Sequence, residues 1–135
     1  MTFAYPLTGL VTIFVLCVYF WMAFQVGKAR QRFGVPAPRM DGPEDFLRVL
    51  RVQGNTTEGL VLFLPALWLF ALTIGDGWAA LVGVFYPVGR IVYALGYYKE
   101  ALKRSRGFTI GLLSTVILLI GALIGLLTII AGIAA

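Results

Sequence analysis

Residues 48–58 form a polar run that leads directly into the apolar segment 60–71. Polar and ionisable side chains at the mouth of a membrane helix are costly to desolvate, so they indicate a functional site. In a helix that turns about 100° per residue, four of these polar side chains share an arc of roughly 80°. These four are Arg48, Arg51, Asn55 and Glu58. Gln53 points to nearly the opposite side, and such a pair of polar surfaces suits a charged ligand held between neighbouring subunits.

A second polar face follows in the third apolar segment of the chain. If its helix continues past Tyr98, five side chains recur on one face at spacings of three, four, three and four residues. They are Arg90, Tyr93, Tyr97, Glu100 and Arg104. Two other interpretations stay open: the tyrosines form an interfacial aromatic belt together with Tyr86 and Tyr98, and Arg104 is a lipid-facing or positive-inside residue. The shared face favours a site, because a belt does not require helical register.

The charges on these two faces allow a simpler interpretation as a buried ion-pair network, with Glu58 neutralising Arg51 and Asp45 neutralising Arg48. The balance of charge near the bilayer argues against it. Only Glu58 and Glu100 oppose the arginines at positions 30, 48, 51, 90 and 104. An anionic ligand would balance this surplus, since guanidinium groups bind carboxylates in bidentate pairs.

The composition is that of an integral membrane protein. Of 135 residues, 60% are hydrophobic and 13% are charged, and the mean hydropathy is +0.92. Windows of about 20 residues give four apolar spans, at roughly 5–26, 59–74, 78–98 and 108–134. The first span ends in basic residues without a cleavage site, which predicts a retained helix and not a signal peptide. We therefore expect one all-α, four-helix transmembrane bundle over residues 1–135, with no separate soluble domain.

Local signals predict how these spans begin, bend and pack. The sequence Asp41-Gly-Pro43-Glu predicts that the second helix begins near Pro43, with an acidic cap and proline in its first turn. Pro65 should kink this helix, because proline cannot donate to the carbonyl one turn back. Residues 75–77 are too short for anything but an antiparallel return. Glycines four residues apart in the segment 121–125 predict a close helix contact.

Charge placement predicts the orientation and excludes several classes of function. Ten of the eleven Lys and Arg residues lie in 28–51 or 99–106. By the positive-inside rule these segments face the cytoplasm and both termini face away. The net charge of +5 suits anionic lipid headgroups, and no separate basic face indicates nucleic acid. Cys17, the single cysteine, is interpreted as a small buried residue, and the absence of histidine leaves no plausible metal site.

Three motifs resemble the MAPEG family, the membrane-associated proteins in eicosanoid and glutathione metabolism. They are RVQGNTTE at 51–58, FLPALW at 63–68 and GRIVYALGY at 89–97. The strong motifs extend from Gln25 through Arg104, and the resemblance is greatest to the branch that contains leukotriene C synthase and the microsomal glutathione transferases.

The resemblance implies a homotrimer that binds glutathione at each subunit interface, near the cytoplasmic side. One protomer would supply Arg51, Asn55, Glu58, Tyr93, Tyr97 and Arg104, with Arg48 and Arg90 in support, and its neighbour would supply Arg30 and Gln53. Arginines 51 and 30 would hold carboxylates, Glu58 the ammonium group, and the amides of Asn55 and Gln53 the peptide. Tyr93 and Tyr97 would line the site, and Arg104 would point at the thiol.

The implied activity is that of a glutathione S-transferase acting on lipophilic electrophiles, and the resemblance also allows a peroxidase side activity on lipid hydroperoxides. The electrophile would enter from the lipid between the first and fourth spans of adjacent protomers, and no metal is needed. Two departures argue against leukotriene synthesis itself: Gln31 replaces a second arginine, and Gly59 replaces an aromatic residue that covers glutathione. Two alternatives stay open, a non-catalytic lipid-binding member of the family and a small multidrug exporter. An exporter would need a mid-membrane carboxylate, which the first span lacks.

Overall fold

The structure is a computed structural model that describes residues 2–134, and all the regular secondary structure in this range is helical. Its elements are α1 (Pro6–Phe33), α2 (Glu44–Thr73), α3 (Asp76–Gly83), α4 (Phe85–Lys99), a 3₁₀ turn (Ala101–Arg104) and α5 (Ser105–Ala134). Four stretches are long and apolar enough to cross a membrane: Pro6–Phe33, Glu44–Thr73, Asp76–Lys99 and Ala101–Ile133. The prediction of an all-α protein with four membrane helices is confirmed.

The third span is divided between α3 and α4 at Val84. Pro87 explains the division, because it has no N–H to donate to the carbonyl of Gly83, one turn earlier. The short turn predicted at 75–77 is present, since only residues 74 and 75 separate α2 from α3. Asp76 then stabilises a different helix: its carboxylate accepts the backbone N–H groups of Leu7 (3.0 Å) and Thr8 (2.7 Å) in the first turn of α1.

The start of α2 lies where the sequence predicts it, but the predicted cap is wrong. The helix begins at Glu44 with Pro43 in the capping position and no side-chain cap, so the proline precedes the first turn. Asp41 instead accepts a hydrogen bond from the Arg39 guanidinium (3.3 Å), which holds the pKa of the Asp41 carboxyl below its usual range. Acidic residues do occupy the first turn, where they complement the helix dipole.

Helix α2 packs against both α1 and α5, and the main core lies along it. A Cβ atom at Gly121 would overlap the Phe70 ring, and one at Gly125 would lie 2.7 Å from the Thr73 Cβ atom. The close contact predicted from these glycines is therefore confirmed, and its partner is α2. The prediction for Cys17 is wrong, because this cysteine is exposed on α1.

Candidate functional site

The crossing of α4 and α5 is made of glycine contacts that bring two backbones together. A Cβ atom at Gly107 would overlap the backbone of Tyr93 and the carbonyl oxygen of Gly89. One at Gly96 would overlap the carbonyl oxygen of Lys103 in the 3₁₀ turn. Because Gly96 places no side chain between the end of α4 and the 3₁₀ turn, the backbone of the turn lies directly against the last turns of α4.

This packing corrects the prediction of one continuous helix through Arg104. Helix α4 ends at Lys99, and Glu100 is extended, with φ −161° and ψ 136°. Glu100 is exposed and lies 3.9 Å from the Lys103 ammonium group, so it does not share the face of the tyrosines. Arg104 still reaches Tyr97, because the chain turns back across Gly96: its guanidinium carbon lies 5.5 Å from the ring centroid, and Nη1 donates to the Ala101 carbonyl (2.8 Å).

The polar run of α2 meets the tyrosine face of α4 at one hydrogen bond. Asn55 Nδ2 donates to the hydroxyl of Tyr93 (2.8 Å), and Tyr93 is only 2% exposed. The rings of Tyr93 and Tyr97 pack edge to face with centroids 5.5 Å apart. Asn55, Tyr93, Tyr97 and Arg104 therefore form a continuous chain of contacts, although they come from three separate elements.

A cleft of about 220 Å³ opens beside this chain of contacts, between the start of α2 and the 3₁₀ turn. Arg48, Arg51 and Tyr97 contribute to its walls, with Glu44 at its edge. Arg48 forms an ion pair with Asp45, so the simpler ion-pair interpretation holds for this arginine. Within residues 2–134, no ion pair includes Arg51, Arg104 or Glu58. The guanidinium of Arg51, which is exposed, is thus available to an anion in the cleft.

Tyr86 belongs to the core and not to an aromatic belt, which corrects that interpretation. It is 2% exposed, and its ring stacks on Phe63 with centroids 4.0 Å apart. Arg90 is 7% exposed, and its guanidinium carbon lies 5.4 Å from the Tyr86 centroid and 4.5 Å from that of Tyr93. The sequence carried a signal for this arrangement, because Tyr86 lies one helical turn before Arg90 and extends the predicted face.

Three predicted site residues lie apart from this cluster in the single chain. Arg30 Nη1 donates to the carbonyls of Arg39 (2.6 Å) and Val35 (3.3 Å), which ties down the loop after α1. Gln53 is half-buried on the other side of α2. Glu58 is exposed. The ligand roles of these three residues remain predictions.

The model of the MAPEG family matches residues 8–124. An uncharacterised protein of Synechocystis sp. is 48% identical over 119 residues, which cover 88% of this chain and 87% of that protein. Microsomal glutathione S-transferase 2 of Homo sapiens is 36% identical over 118 residues (87% and 80%). Leukotriene C4 synthase of Rattus norvegicus is 38% identical over 98 residues (73% and 65%).

Proposed function

The chain belongs to the MAPEG family, and from this membership we propose that it is a membrane glutathione S-transferase. One observation carries the proposal: the Arg104 guanidinium is held over the ring of Tyr97, and Tyr97 also lines the cleft that contains Arg51. Two cationic groups, one in the cleft and one on the tyrosine that lines it, suit a ligand with both a carboxylate and a group that becomes anionic. Glutathione, with its two carboxylates and its thiol, is such a ligand.

Most polar groups of glutathione have a candidate partner within one protomer. Arg51, supported by Arg48, binds one carboxylate as a bidentate pair. Asn55 keeps one amide hydrogen and its carbonyl for the peptide while it donates to Tyr93. Glu58, exposed one turn further along α2, accepts the ammonium group.

The remaining contacts come from a neighbouring copy in a homotrimer. Arg30 uses Nη1 for its own loop, so its other guanidinium donors remain for a carboxylate across the interface. Gln53 reaches the neighbouring site from the opposite side of α2. The site of each protomer therefore needs a second copy of the chain to be complete.

The chemistry follows from charge. A free thiol with a pKa of about 8.5 is only a few per cent thiolate at neutral pH, and the thiolate is the nucleophile. Contact with Arg104 stabilises the ionised sulfur and lowers this pKa by about 1–3 units. The thiol proton passes to water. The sulfur lone pair then attacks an electrophilic carbon, a C–S bond forms, and the leaving group departs with the electrons of the bond that breaks.

The test is glutathione binding and turnover by purified protein in detergent. We expect saturable binding at millimolar glutathione, a rise in the ultraviolet absorbance of the thiolate, and conjugation of a chromogenic aryl halide. Arg51→Ala should weaken binding, whereas Arg39→Ala removes an exposed arginine that pairs with Asp41 and should not. Binding of lipid without conjugation would favour the lipid-binding alternative. Absence of glutathione binding at millimolar concentration would overturn the proposal.

Assembly has its own test, because the two halves of a site come from different copies. Arg51→Ala and Gln53→Ala each damage every site of a trimer made of one variant. When the two variants are co-expressed, some interfaces combine an intact Arg51 from one copy with an intact Gln53 from the other. Activity above that of either variant alone supports the shared site, and no gain in a verified mixed trimer contradicts it.

A further inference from the structure

Arg30 is the cation that the proposed function sends into a neighbouring copy, yet its guanidinium is held from within its own chain. Its Nη1 atom donates to the carbonyls of Arg39 (2.6 Å) and Val35 (3.3 Å) in the loop between α1 and α2. Its guanidinium carbon lies 5.4 Å from the centroid of the Phe46 ring, in the first turn of α2. A side chain with many accessible rotamers is thus fixed by both the loop and the next helix.

The end of α1 brings the loop carbonyls to this side chain. Gly34 adopts a left-handed conformation (φ 65°, ψ 37°), and its N–H donates to the Arg30 carbonyl. The N–H of Val35 donates to the same carbonyl (3.0 Å). Such a turn ends a helix and redirects the chain. Arg30 therefore binds the loop twice, since its backbone accepts hydrogen bonds from the loop and its guanidinium donates them.

A small core under the loop fixes Phe46 in place. Phe46 is fully buried and packs in one cluster with Ala29 and Val35, which are also buried. Gly42 lies against both rings of contact: a Cβ atom there would be 3.2 Å from Phe46 Cδ1 and 3.0 Å from Val35 Cγ2. The Phe46 ring therefore offers Arg30 a surface whose position is set by α1, the loop and α2 together.

This arrangement leaves donors of Arg30 for a ligand. The face of an aromatic ring attracts a guanidinium through the ring quadrupole. This contact uses the flat face of the guanidinium and not its N–H groups, which lie in the guanidinium plane. Within residues 2–134 the loop carbonyls bind Nη1 alone, so Nε and Nη2 remain available for a carboxylate.

We propose that Phe46 is a positioning residue for Arg30: with the loop carbonyls, it holds the guanidinium ready for the glutathione carboxylate of the neighbouring copy. This inference rests on the proposed function. Phe46 touches no reacting atom and acts only through Arg30. Because Arg30 is held before the ligand arrives, less rotamer freedom is lost on binding. The effect is therefore on glutathione affinity, and ionisation of the thiol, assigned to Arg104, does not depend on it.

The test is a double-mutant cycle on glutathione binding and turnover by the purified protein in detergent. Phe46→Leu keeps an apolar side chain and removes the ring, so Kd and KM for glutathione should rise about two- to fivefold. The value of kcat at saturating glutathione and its pH dependence should stay unchanged. Arg30→Gln should raise Kd at least about tenfold. In the double variant Phe46→Leu should add nothing, because the group through which it acts is gone.

The matched control is Phe33→Leu, which makes the same substitution in the same cluster. Its ring lies 5.1 Å from the guanidinium carbon of the exposed Arg32 instead, so glutathione affinity should not change. A second measurement needs no glutathione: the rate at which phenylglyoxal modifies Arg30, followed by mass spectrometry of its peptide. Arg30 should react several-fold faster in Phe46→Leu than in Phe33→Leu or the unaltered protein.

Unchanged reactivity of Arg30 in Phe46→Leu would refute the positioning role. So would an equal loss of affinity from Phe46→Leu with and without Arg30, or normal glutathione binding by Arg30→Gln. If Phe46→Leu does not fold, Phe46→Met, which fills the space with a flexible apolar side chain, is the deciding variant. A lack of glutathione binding by the unaltered protein would refute the proposed function, and the reactivity of Arg30 would still decide whether Phe46 holds it.

Discussion

Replacing Arg104 with alanine should change how activity depends on pH more than it changes glutathione binding. In the structure Nη1 of Arg104 is engaged by the Ala101 carbonyl, which leaves Nε and Nη2 for a thiolate. An adjacent cation favours the ionised thiol, so the pKa is lowered when Arg104 is present and returns toward its free value when it is removed. Arg104 is exposed, so water screens its interaction with the thiolate. We therefore expect it to lower the thiol pKa by about 1–2 pH units, the lower part of the range for such a contact.

This shift fixes the expected magnitude. At pH 7 a thiol of pKa about 8.5 is about 3% ionised, and lowering the pKa by 1 or 2 units raises the thiolate to about 24% or 76%. At saturating glutathione, Arg104→Ala should therefore reduce kcat/KM for the electrophile at pH 7 by about 8- to 25-fold. This corresponds to a loss of transition-state stabilisation of about 1.2–1.9 kcal/mol. Near pH 9.5 both enzymes hold mostly thiolate, and the two rates should converge.

The assay is the pH profile of conjugation, followed together with the absorbance of bound thiolate. The conjugation rate rises with pH as the thiol ionises. The midpoint of this rise should shift to higher pH by about 1–2 pH units in Arg104→Ala, and by less in Arg104→Lys, which keeps a positive charge. Lys103→Ala is the matched control, because Lys103 is exposed beside Arg104 and pairs with Glu100 instead. An unchanged midpoint in Arg104→Ala would refute the assignment of thiol activation to this residue, even if the rate fell.

Three further predictions concern the frame that holds the site. Gly107→Ala should push α4 and α5 apart and reduce the free energy of unfolding by about 1–3 kcal/mol or more, measured as a lower Tm in detergent. In the control Gly132→Ala, the new Cβ atom meets nothing within 4 Å, so the Tm should not fall. Asp76→Ala should lower the Tm, because it removes the carboxylate that accepts the first N–H groups of α1. An unchanged Tm would show that these two hydrogen bonds contribute nothing to stability. A cysteine placed at Thr2 in a Cys17→Ser background should react in intact cells with a maleimide that cannot cross membranes; protection until the cells are lysed would reverse the proposed orientation.

The sequence predicted the elements of this fold better than it predicted their ends. Hydropathy located all four spans because lipid tolerates only long apolar helices there. Hydropathy also ended the third span at residue 98, one residue before the end of α4. Helical register wrongly continued that helix to Arg104, since nothing in the composition of Lys99 or Glu100 opposes a helix. The chain turns there because Gly96 has no Cβ atom to keep Lys103 away, and such a contact between distant residues leaves no periodic signal. The role of Asp76 was missed for the same reason, as its partners lie 69 and 68 positions away.

The placement of Arg104 shows why helical register was an unreliable guide to the site even where the predicted contact exists. Register placed Arg104 on the face of Tyr97 by assuming a continuous helix, and the structure brings the two residues together through a turn. A continuous helix would fix the guanidinium relative to α4 alone. The turn instead joins Arg104 to α5 as well, so the distance from Arg104 to Tyr97 depends on how closely α4 and α5 pack at Gly89 and Gly107. The glycines that set the helix spacing therefore also set the position of the group proposed to ionise the thiol, which is why Gly107→Ala should raise the thiol pKa as well as lower the Tm.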